Sequence, residues 1–132
     1  MLSLPDANAI RAALREPLDP KLHTILAAKL ASVEANGLEN LTHVVVVQAG
    51  TTEEELQQEL GWSPLQNPID GVRYGEAEFV PYWSFLQDLG GVYELIQPVG
   101  NSGFAYIVVI EDREGVPAEL LRMCRQYAGR AG

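Results

Sequence analysis

Cysteine is almost missing from this 132-residue chain, with Cys124 its single representative. One thiol cannot close an internal disulfide, so the fold must rest on a hydrophobic core, and a reducing, cytoplasmic setting is expected. Histidine is nearly as scarce: only His23 and His43 occur. These three ligands lie far apart without paired spacing, which excludes the pattern of a structural zinc site, and no metal is assigned. No run approaches the roughly 18 apolar residues of a membrane-spanning helix, so no membrane association is expected. The start, Met1-Leu2-Ser3-Leu4-Pro5-Asp6, carries no basic segment followed by a long apolar stretch, and no secretory leader is expected. There is no phosphate-loop pattern and no Gly-x-Ser-x-Gly elbow, and no cofactor is expected.

Positive charge is short as well, and unevenly so. Eighteen acids face nine Lys and Arg residues, a net charge of -9. Residues 1–36 hold four acids and four bases, and residues 100–132 do the same. The middle, 37–99, holds ten acids and one base, Arg73. A field of this sign repels phosphates, which argues against nucleic-acid binding and favours a basic protein partner.

What remains is the composition of an ordinary globular domain, 47% hydrophobic and 20% charged. The run Phe104-Ala105-Tyr106-Ile107-Val108-Val109-Ile110 is apolar throughout and rich in β-branched residues. It predicts a strand buried on both faces, at the middle of a sheet. Leu41–Gln48, with four successive valines, predicts a second strand, and Val92–Val99 a third, interrupted by Glu94. Pro98-Val99-Gly100-Asn101-Ser102-Gly103 reads as the hairpin joining the third strand to the central one.

Helices are expected over 5–16, with Pro5 in the first turn, and from Asp19-Pro20 to Asn36-Gly37, where Leu22, Ile25, Leu26, Leu30 and Val33 fall at helical spacing. Together they form an N-terminal helical hairpin over residues 1–36. After Ala49-Gly50, Thr51-Thr52-Glu53-Glu54-Glu55 offers two capping-box registers, Thr51 with Glu54 or Thr52 with Glu55. A phosphate site at this turn is disfavoured by the three glutamates in the first helical turn. Pro81–Leu89 reads as a short aromatic helix stopped by Gly90-Gly91, and Pro117 to about Ala128 as the last helix, with Leu120, Leu121, Cys124 and Ala128 facing inward.

The expectation is therefore one α+β domain, residues 1–132. A mixed or antiparallel sheet of three to four strands (41–48, 104–110 and 92–98 in that spatial order, with an edge strand at 73–79) is covered by about five helices.

Candidate functional residues centre on the long irregular stretch 62–80, since loops of that length are uncommon in compact domains without a role. Trp62, Asp70, Arg73, Tyr74, Glu76, Glu78 and Trp83, together with His43, form the candidate binding set. Glu76 and Glu78, two apart, project to one side of an extended segment. With Asp70 they could hold magnesium or calcium through oxygen ligands, or act as an acid and base pair. The competing reading is solvated charge on an edge strand. Arg73 either anchors an anion or pairs with these acids. His43 either satisfies itself on a backbone group or serves as a base or ligand opening on a cleft.

Three functions fit. The first is a non-catalytic accessory, inhibitor or immunity-type protein whose acidic middle binds a basic protein. The second is a small hydrolase or metal-assisted enzyme using loop 62–80 with His43. The third is a structural homo-oligomer subunit.

Overall fold

Residues 1–60, 84–89, 91–99 and 104–131 are described by a computed structural model. In chain order they form β1 (Leu2–Leu4), α1 (Ala7–Leu14), α2 (Pro20–Ala35), β2 (Thr42–Val47), α3 (Glu53–Leu60), β3 (Ser84–Leu89), β4 (Val92–Val99), β5 (Phe104–Glu111) and α4 (Ala118–Ala131). The strands make one mixed sheet in the order β1-β2-β5-β4-β3. Only β2 and β5 run parallel, and every other neighbouring pair is antiparallel. The three strands expected from sequence stand in the expected spatial order, and the chain has the α+β class.

Alternation along the strands divides the core in two. Val44, Val46, Ile107, Val109 and Val92 point to one face and pack under α1 and α2 with Leu4, Ile10, Leu22, Ile25 and Leu26. Val45, Val47, Val108, Ile110, Tyr93 and Leu95 point to the other, against Leu56, Leu60, Leu120, Leu121 and Cys124. Both faces of β2 and β5 are thus covered, which is why these strands read as unbroken apolar runs. Each fully buried Val or Ile contributes roughly 1.5–3 kcal/mol of transfer free energy.

The helix ends follow local chemistry. The Asp6 side chain accepts from the Ala9 amide at 2.9 Å and caps α1, which leaves Pro5 outside the helix rather than in its first turn. Asp19 accepts from the Lys21 amide at 2.9 Å, and Pro20 opens α2. Of the two registers before α3, Thr52 is used: its hydroxyl accepts from the Glu55 amide at 3.1 Å. Thr51 is buried instead. The turn after β2 lies directly on the turn before α4, where the Gly50 amide donates to the Gly115 carbonyl at 2.8 Å.

Two expectations are corrected. Residues 84–89 are a strand, not part of an aromatic helix, so the described residues contain four helices rather than five. Leu89 pairs with Val92 across Gly90-Gly91, and Phe85 with Leu95. Two strand-forming runs separated by a Gly-Gly pair are a hairpin signal, and an open flank of β4 rewarded the extended form over the helix. The second correction is β1, a three-residue strand that pairs Ser3 with Val45 and lengthens the sheet to five strands. The expected edge strand at 73–79 lies outside the described residues. No helix among the described residues is long and apolar enough to cross a membrane.

Candidate functional site

Of the eight candidate residues, Trp62, Asp70, Arg73, Tyr74, Glu76, Glu78 and Trp83 lie outside the described residues. His43 is described, and it does not turn to a backbone group. It stands near the start of β2 on the face that carries Val45 and Val47. On that face the β1 pairing brings Ser3 beside it, and Glu59 reaches it from the last turn of α3. The His43 Nε2 atom is 2.8 Å from Ser3 Oγ and 3.0 Å from Glu59 Oε1. The Ser3 hydroxyl in turn donates to Glu59. Tyr106, directly opposite His43 on β5, lays its ring against the imidazole with centroids 5.1 Å apart. The His43 side chain is mostly buried at 13% exposure, and Glu59 is more open at 28%.

This trio contains the residue types of a nucleophilic relay without its wiring. A relay needs the carboxylate on Nδ1 and a bare Nε2 facing the hydroxyl. Here carboxylate and hydroxyl share Nε2. The serine hydroxyl donates to Glu59, and the role of Nε2 towards the two oxygens follows the imidazole tautomer. As arranged, the three side chains tie β1 and α3 to the sheet. Local sequence could not have found the trio, because Ser3 meets His43 across 40 residues and Glu59 across 56.

At the opposite end of the sheet, where β2 and β5 finish, lies a groove of about 540 Å³ lined by Asp19, Lys21, Gly91, Glu111, Asp112 and Arg113. This is where open sheets with parallel strands commonly bind ligands. Its charges, however, are largely turned on one another. Arg113 meets Glu111 at 3.3 Å, and Asp19 caps α2. Asp112 accepts from the Tyr93 hydroxyl at 3.0 Å and from Arg125 Nε at 2.9 Å. Arg125 holds the Asp112 carboxyl below its ordinary range, with Tyr93 adding to the effect. Burial, and then the Asp112 bond, push the Tyr93 hydroxyl above its own. Beneath them Cys124 is enclosed, and burial pushes its thiol up to about 12.

Among the described residues, the acids of the middle segment are spread over several elements. Glu94 is fully buried on the α1/α2 face, with Lys29 Nζ 2.8 Å from its Oε1. Glu39 lies in the connection before β2, where its carbonyl accepts from the Ala7 amide at 2.8 Å. Among the described residues the concentration falls on α3, where Glu53, Glu54 and Glu55 are exposed and Glu59 is half-buried. Among the described residues, no three side chains of the His, Cys, Asp and Glu types gather as a metal set. No protein-family model, curated protein or solved structure matches the chain.

Proposed function

We propose that this protein is a non-catalytic interaction module of the accessory or inhibitor kind, and that the exposed side of α3 receives a basic protein partner. One observation carries the reading. Glu53–Leu60 contains four glutamates and no base, while Arg11, Lys29, Arg113, Arg122 and Arg125 are each engaged by carboxylates elsewhere, on Glu34, Glu94, Glu111, Glu119 and Asp112. These cations pair with acids of other elements, and Glu53, Glu54 and Glu55 of α3 face solvent. Leu56 and Leu60 hold the helix to the core, so its charged side is presented from a fixed base. Such a surface steers an oppositely charged protein and sets its orientation.

The wiring of Ser3, His43 and Glu59 supports the non-catalytic side of this reading over a serine hydrolase. A cytoplasmic setting goes with it, in view of the buried reduced thiol of Cys124.

The test is affinity capture of binding proteins by the intact chain over a salt series, beside the variant E53Q/E54Q/E55Q. The expected result is a basic partner whose binding weakens as salt rises and is lost in the variant at low salt. Binding that ignores ionic strength and survives the triple substitution overturns the proposal.

A further inference from the structure

We infer that Asn36 is a site of spontaneous covalent modification, at which the side-chain amide closes on the Gly37 nitrogen and hydrolyses to aspartate and isoaspartate. Asn36 caps the C-terminal end of α2, and both residues of the pair are exposed. Asparagine is thermolabile because the backbone nitrogen that follows it can attack its side-chain carbon, and the next residue's side chain is the main obstacle. Gly37 has no side chain, its φ is +67, and even a Cβ built there would meet nothing within 4 Å. Its nitrogen is loosely held, donating to the Glu34 carbonyl at 3.3 Å, beyond the usual range. Reaching Asn36 Cγ requires a turn about the Asn36 Cα–C bond and release of Nδ2 from the Ser32 carbonyl, 2.7 Å away. An exposed helix end is where such openings cost least.

The other described asparagines are worse placed. Asn8 lies inside α1, where its Oδ1 accepts from Arg11 at 2.7 Å and the Ala9 amide is bound to Asp6. Asn40 precedes Leu41, whose side chain shields an amide that donates to the Leu38 carbonyl at 2.9 Å.

The step balances with water alone. The Gly37 nitrogen loses its proton to solvent and bonds to Asn36 Cγ. The Cγ–Nδ2 bond breaks, and ammonia leaves with a proton taken from solvent. Water then opens the five-membered imide. Breaking the new bond at Cγ gives aspartate, whereas breaking the original peptide bond leaves the chain running through the side chain as isoaspartate. Either way a neutral residue becomes a carboxylate. The last turn of α2 carries no base, so the new charge faces the negative end of the helix dipole. Arg11 of α1, which reaches this turn, is already paired with Glu34 at 3.0 Å. The donation from Asn36 to the Ser32 carbonyl is lost as well. Modification therefore loosens the end of α2.

The test is incubation of the intact chain at physiological temperature in mildly alkaline buffer, followed by cleavage after glutamate and mass spectrometry. That cleavage releases Ala35–Glu39 and separates Asn36 from Asn40. This peptide should gain the mass of oxygen in place of NH and divide into two products, one of which accepts methyl from an isoaspartyl methyltransferase. Peptides holding Asn8 and Asn40 should lag behind it. The aged chain should unfold at lower urea than the fresh one. Aged Asn36→Gln, whose longer side chain would need a six-membered ring, should not. If circular dichroism shows Asn36→Gln to be misfolded, the mass and methylation readouts on the parent chain decide alone. An Ala35–Glu39 peptide that keeps its mass, or that converts no sooner than Asn8 and Asn40, overturns the inference. A modified chain as stable as the fresh one overturns the loosening of α2.

Discussion

Single atoms decide much of what this chain tolerates. Gly115 has φ +94, and a Cβ built there would stand 2.9 Å from the Ala49 Cβ. The turn before α4 and the turn after β2 touch at this point, so both the left-handed backbone and the close approach require glycine. Gly115→Ala is expected to cost about 1–3 kcal/mol in urea unfolding. Gly37→Ala is the control. Its φ is +67 but its Cβ would meet nothing within 4 Å, so its loss should be the smaller. Cys124 offers a second check at this scale. Its thiol is fully enclosed and pushed up to about 12 by burial, so the nucleophilic thiolate is scarce at neutral pH. Aromatic disulfide reagents should leave it unlabelled in native buffer and label it at the rate of unfolding in denaturant.

Between elements, the telling contact is Lys29 with Glu94, an ammonium on α2 and a carboxylate in the middle of β4. Glu94 interrupts an otherwise apolar strand, and its neighbours on the sheet, Val109 and Leu86, offer no countercharge. The cation comes from the overlying helix. A buried pair adds little net stability, because both ions lose their water, but removing one partner is costly. Lys29→Met should therefore destabilise by about 3 kcal/mol in thermal or urea unfolding. The double variant Lys29→Met/Glu94→Leu should recover most of that loss. A double variant no more stable than the single would show that other groups around Glu94 matter more than the ammonium.

Across the whole molecule, pH response follows from the network around Asp112. Arg125 depresses the Asp112 carboxyl in the folded state. Its stabilising contribution is complete above the unfolded carboxylate value of about 4 and is lost as pH falls through the folded value. Tyr93 is shifted upward, so its contribution holds below the unfolded tyrosine value of about 10 and is lost as pH rises through the folded one. Asp112→Asn should flatten the acid limb of a stability-versus-pH curve and also shift the alkaline limb. Because Arg125 is largely exposed, its pairing is screened, and the acid-limb effect should shrink further in high salt. An unchanged acid limb in Asp112→Asn would remove this assignment.

The amino-acid sequence by itself determined the strands at 41–48, 92–98 and 104–110, the cap Asp19, and the inward face of α4. Each of these is written in neighbouring residues, through burial periodicity and short-range hydrogen bonds. Only the tertiary structure decided that residues 84–89 extend rather than coil, since backbone partners on β4 outweighed a local pattern compatible with either form. It alone decided that Ser3 of β1, His43 of β2 and Glu59 of α3 would meet, and that Glu94 would be neutralised from α2. Such meetings depend on which strand lies beside which and on which helix covers each face. No local signal encodes them, because the free energy that selects them comes from burying both sides of one sheet at once.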